Sequence, residues 1–92
     1  MISKDLYPKI EEMAEQLVPP SQMAAVLDVN EDELILALSR HNSECRKIYL
    51  RGIYKAAQEI RVANLGLAKA GSPDAIRSCI SSMQEMLNEL NS

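Results

Sequence analysis

Lys47, Arg51 and Lys55 recur every four residues, so on a helix they form one positively charged stripe, with Arg61 and Lys69 further along. Such a stripe can meet the phosphates of duplex DNA without reading its sequence. It can equally pair with an acidic helix face or stand in solvent, and spacing alone leaves the three readings open. Asn30 and Arg40 are further polar candidates for DNA contact, because residues 21–39 have the pattern of a helix-turn-helix, whose second helix enters the major groove by its first residues. Here those residues are Asn30, Glu31, Asp32 and Glu33. Phosphates repel three carboxylates, and acids also suit a first helical turn for dipole reasons alone. Ile35 and Leu36 follow on the outward side and suit a protein contact instead.

Nothing in the chain assembles a catalytic, metal or cofactor site by spacing. His41 is the only histidine and has no Cys or acidic partner at metal-ligand spacing. GxSxG, P-loop, HExxH and dinucleotide patterns are missing, and no hydroxyl has a histidine beside it in sequence. Cys45 and Cys79 have neither CxxC nor metal-ligand spacing. If the chain reverses at Gly71, Cys79 returns to the level of residue 63, roughly 27 Å along the axis from Cys45. A disulfide needs Cα atoms within about 7 Å, so two reduced thiols are expected. Met13, Met23, Met83 and Met86 stand at helical core spacing and read as flexible core filler.

These residues must be carried by helices. The 92 residues are 47% apolar but only 3% aromatic, with no Phe or Trp, so the core has to come from Leu, Ile, Val, Ala and Met. Length allows one domain with one modest core. No apolar run reaches the length of a membrane span, and the first nine residues are too charged for a secretory signal. A cytoplasmic protein without a membrane partner is expected. The net charge of −3 is uneven: residues 1–41 carry −5, residues 42–71 carry +4 and residues 72–92 carry −2. An acidic whole argues against a simple nucleic-acid coat, while the basic segment allows local phosphate contact.

Asn42 to Ala70 organises the rest. Tyr49, Ile53, Ala56, Ile60, Ala63, Leu67 and Ala70 follow in alternating steps of four and three, a heptad stripe. A helix of these 29 residues would run roughly 44 Å, against a diameter near 30 Å for a compact domain of this size. Its stripe therefore needs cover that the chain cannot wholly supply, which predicts a homo-oligomer with Tyr49, Ile53, Ala56, Ile60, Ala63 and Leu67 at the interface. Gly52 and Gly66 inside this helix each cost about 1 kcal/mol relative to Ala. They mark either close approaches of another helix or tolerated surface positions.

The flanking helices follow from local signals. Leu6, Ile10, Met13 and Leu17 give a first amphipathic helix that starts regularly near Tyr7 or Pro8, carries Glu11, Glu12 and Glu15 on its other face, and is stopped by Pro19 and Pro20. Ser21–Leu27, the turn Asp28-Val29-Asn30 and Glu31–Ser39 form the helix-turn-helix pair. Ala24 is expected at the close approach, Val29 as the plug of the turn, and Leu34 and Leu38 in the core. Asn30 with Glu33 reads as a capping box, and Asn42 or Ser43 can cap the long helix. Gly71-Ser72-Pro73-Asp74 reads as a left-handed stop followed by a new start. Ile76, Ile80, Met83, Leu87 and Leu90 are then expected to lie against the distal half of the long helix. The fold expected is all-α: a three-helix N-terminal unit with a helix-turn-helix over residues 1–41, then a long antiparallel helical hairpin over 42–92, in one compact domain overall.

This order of parts resembles the small terminase subunits of tailed phages and prophages. The residues that carry the likeness are Leu17-Val18-Pro19-Pro20 closing the first helix, the segment from Ser21 to Asn30, Tyr49-Leu50-Arg51-Gly52, Ala63 to Ala70, and the Gly71-Ser72-Pro73-Asp74-Ala75 turn. They lie within about residues 7 to 78. The resemblance implies a non-catalytic DNA-packaging adaptor in a bacterial host or phage-infected cell, with a helix-turn-helix that engages double-stranded DNA by an edge holding Gln22 and Asn30 to Glu33, and a hairpin that assembles subunits into rings through Tyr49 to Ala70. It implies a large terminase subunit, which hydrolyses ATP, as partner. Two features depart from that pattern: Asp28 stands where the turn usually has Gly, and the reading helix is acidic. Two other functions fit the same residues, a helical protein-interaction module that keeps the helix-turn-helix as scaffold, and a small transcriptional regulator.

Overall fold

The computed structural model describes residues 2–91, which are all-α, with no strand. A short 3₁₀ turn, Lys4–Leu6, leads into α1 (Tyr7–Glu15), followed by α2 (Pro20–Leu27), α3 (Glu31–Ser39), α4 (Glu44–Lys69) and α5 (Pro73–Asn91). The long helix has 26 residues, starting two after and ending one before its expected limits. By its contacts the chain divides into two compact units, Met1–Ala57 and Gln58–Ser92, where the sequence suggested a boundary after His41. The first part of α4 belongs to the N-terminal unit because Cys45, Gly52 and Ala56 are buried.

The N-terminal unit holds the core. Ile2, Ile10, Met23, Ala24, Leu34, Leu38 and Cys45 form one buried cluster, with Tyr7, Met13, Val18, Val29 and Tyr49 packed against it. Ala24, Leu34 and Leu38 therefore fill the places that helix-turn-helix spacing gave them. The turn is closed by Asp28 in the left-handed region, at φ 54° and ψ 48°, with the Val29 amide donating to the Ala24 carbonyl at 3.0 Å. Asn30 then caps α3 by accepting from the Glu33 amide at 3.0 Å. Arg46 donates to the Leu38 carbonyl at 3.0 Å, so the end of α3 is satisfied from α4. Ser43 accepts from the Arg46 amide at 3.3 Å and caps α4.

The first helix departs from its pattern. Leu17, expected in the apolar stripe, lies at φ 62° and is 60% exposed. The Leu17 amide donates to Ala14 and the Val18 amide to Met13, each at 3.0 Å, which is a Schellman closure made with a leucine in place of glycine. The helix therefore stops well before Pro19, and Val18 packs on the core in place of Leu17.

In the C-terminal unit Gly71, at φ 99°, reverses the chain, and the Ser72 amide donates to the Leu67 carbonyl at 3.1 Å. Ser72 accepts from the Ala75 amide at 3.4 Å and caps α5. Asn64 donates to the Ser78 hydroxyl at 3.0 Å, so the return is antiparallel, at the level expected from a turn at Gly71. The face that α5 turns inward is nevertheless not the expected one. Ala75 is buried and Cys79 and Ser82 are half-buried, whereas Ile76, Ile80, Met83, Leu87 and Leu90 are exposed. At 100° per residue the large apolar stripe lies about a quarter turn around the helix from Ala75, Cys79 and Ser82. Small side chains let the two helices approach, and the large ones are left outside. Met83 and Met86, expected as core filler, are 54% and 65% exposed.

Gly52 and Gly66 separate cleanly. A Cβ on Gly52 would collide with the Glu11 carbonyl oxygen and stand 2.7 Å from the Ala14 Cβ, so α1 crosses α4 at that point. A Cβ on Gly66 meets nothing within 4 Å. Gly52→Ala is accordingly expected to lower stability by about 1–3 kcal/mol through overpacking, and Gly66→Ala to raise it by up to about 1 kcal/mol through helix propensity. Thermal melts followed by circular dichroism check both signs.

Candidate nucleic-acid interface

The cationic stripe sits on the outer side of α4 within the N-terminal unit, and two of its three members are already engaged. Glu11, on the face of α1 that crosses Gly52, accepts from the Lys55 ammonium at 3.0 Å and from the Arg51 guanidinium Nε. These residues lie 40 and 44 positions from Glu11, brought together because Gly52 lets α1 lie close on α4. Hydrogen bonds from Lys55 and then Arg51 hold the Glu11 carboxyl below its ordinary value of 4.5. Pairing with the acidic face of the first helix is thus the arrangement adopted by Arg51 and Lys55. The sequence places Glu11 on that face with Glu12 and Glu15, and the crossing point selects Glu11 among the three.

The remaining candidates are less constrained. Gln22, Asn30, Arg40 and Lys47 are all exposed. The side chains of Arg40 and Lys47 have no hydrogen-bond or ion-pair partner among the described residues, and only their backbone amides donate, to Leu36 and Ser43. Asn30 spends its side-chain oxygen on the cap of α3, and Glu31, Asp32 and Glu33 occupy the first turn beside it. Ile35 and Leu36 are exposed as expected, at 42% and 53%. Leu36 also lines a groove of about 670 Å³ with Ile2, Tyr7, Ala37, Arg40 and Cys45. Burial pushes the Cys45 thiol up, so it stays protonated and unreactive at neutral pH. Burial also raises the Tyr7 phenol, with the Cys45 and Glu44 charges adding to the effect. Both cysteines are free.

The residues expected at an oligomer interface divide between the two units. Ala56 is buried and Tyr49 and Ile53 are half-buried, so the N-terminal unit already covers this part of the stripe. Ile60, Ala63 and Leu67, in the C-terminal unit, are exposed. Among the described residues no group of three His, Cys, Asp or Glu side chains could hold a metal ion. No helix among them is long and apolar enough to cross a membrane. No family model, curated protein or solved structure matches the chain.

The Glu11 contacts carry a pH signature. Because the folded-state pKa lies below the unfolded one, the stabilisation is fully present above the unfolded value near 4.5 and is lost as pH falls through the folded value. Glu11→Gln is expected to lower the unfolding midpoint at pH 7 and to lower it much less at pH 3. Paired thermal melts at the two pH values measure the difference.

Proposed function

We propose that this chain is a non-catalytic adaptor of the small-terminase kind, a homo-oligomer that holds duplex DNA by its helix-turn-helix unit and presents it to a large packaging subunit. The observation that carries the reading is the surplus left by the fold. Unit Gln58–Ser92 buries only Ala75 in α5 and keeps its large apolar side chains outside. A unit of 35 residues with so little core needs stabilisation from another chain, since domains below about 40 residues rarely hold alone. Arg40 and Lys47 supply the local positive charge for phosphate contact, and the α2–turn–α3 pair supplies the groove-sized element.

A second reading is favoured by a specific observation. Glu11 takes up Arg51 and Lys55, and the first turn of α3 is acidic, which together remove much of the field that DNA would need. On that reading the helix-turn-helix is scaffold and exposed Ile35 and Leu36 bind a protein.

Binding to a generic DNA duplex across a salt series separates the two. The DNA reading expects measurable affinity at about 50 mM salt, lost on Arg40→Glu with Lys47→Glu. It also expects Glu11→Gln to bind more tightly, with the slope of log K against log salt steeper by about 2, because two further cations become free. Absence of binding at low salt in both the natural chain and Glu11→Gln would leave the protein-interaction reading.

A further inference from the structure

The fold leaves α5 with an apolar face that its own hairpin does not use. Ile76, Ile80, Met83, Leu87 and Leu90 are between 39% and 82% exposed. A contiguous exposed apolar row of this kind, unlike singly scattered apolar residues, marks an interaction surface. The face is also free of acid. Asp74, Glu85 and Glu89 fall on the far side of the helix, and the positions flanking the stripe are Arg77, Gln84 and Asn91 on one edge and Cys79 on the other. Covering the stripe therefore buries no carboxylate, the condition an interface core needs.

We infer that this face is covered by α5 of a second copy of the chain, running antiparallel. This rests on the reading that the protein works as a homo-oligomer, and it moves the interface from the α4 stripe to α5. The steps of four and three in Ile76, Ile80, Met83 and Leu87 are symmetric about the point between Ser81 and Ser82. A two-fold axis there sets Ile76 against the second copy's Leu87 and Ile80 against its Met83, so β-branched side chains meet flexible ones. Exposure rises along the stripe, from 39% at Ile76 to 58% at Leu87. Antiparallel pairing matches the more open end of one helix to the better-covered end of the other, and it opposes the two helix dipoles favourably. Parallel pairing would set open end on open end.

Sedimentation equilibrium of the full chain tests this directly. The natural protein is expected to self-associate, and Ile80→Glu or Met83→Glu to weaken association by at least about a hundredfold through burial of two carboxylates per dimer. Ile60→Glu, on the exposed α4 stripe, is expected to leave it unchanged. In a Cys79→Ser background, an equimolar mixture of Ile76→Cys and Leu87→Cys chains is expected to oxidise to a disulfide-linked heterodimer, while neither variant alone forms a linked dimer. Each of these chains alters one stripe position and introduces no charge, so the result stands even if a glutamate variant unfolds. A monomeric natural protein at high concentration would overturn both the inference and the homo-oligomer reading. Association that survives Ile80→Glu, dissociation by Ile60→Glu instead, or cross-linking of each cysteine variant with itself would overturn the inference alone.

Discussion

The constraint on this protein is how little of its apolar volume can be buried. With three tyrosines and no Phe or Trp, the core is aliphatic, and the chain gathers it almost entirely in Met1–Ala57. Ile10, Met23, Leu34 and Cys45 are fully buried there. That concentration is possible because Gly52 has no side chain: the backbone of α1 reaches the backbone of α4, and the small Ala14 beside it completes a close approach that a larger residue would prevent. Among the described residues no side-chain polar atom is buried without a partner, so the core is held by packing and needs no buried polar network.

The same close approach decides the electrostatics. Once α1 lies on Gly52, Glu11 stands over Arg51 and Lys55, and charges that look available in sequence become part of the fold. Both cations remain substantially exposed, so solvent weakens the pairing, and the contact directs where α1 sits more than it stabilises. The surface charge open to a partner is thereby reduced to a few unpaired cations beside an acidic α3. On the proposed DNA-binding reading, function and fold compete for Arg51 and Lys55 on α4.

Local signals were legible in the sequence and orientation was not. The α2–α3 turn, the Asn30, Ser43 and Ser72 caps and the Gly71 reversal each depend on residues within a few positions of one another, and each is present. Leu17 escaped because a leucine in the left-handed region has no sequence signature, and its spacing to Met13 is that of a buried residue. Gly52 and Gly66 look alike in sequence and differ only in what crosses them. The α5 stripe was identified correctly as a stripe, but periodicity says which side chains share a face and not which neighbour that face meets. Small Ala75, Cys79 and Ser82 form the inward face because they permit closer helix approach. Among the candidate DNA residues, Arg51 and Lys55 lost their freedom to Glu11, a contact across 40 or more residues that no local pattern encodes.

The hairpin closes on its small side chains and leaves its large ones exposed, and on the proposed reading another chain covers them. Amide hydrogen exchange read against protein concentration tests it most directly. Amides from Ile76 to Leu90 are expected to gain protection as concentration rises, while those of Ile10, Met23 and Leu34 stay the same. Protection of α5 that is already complete and independent of concentration would contradict it.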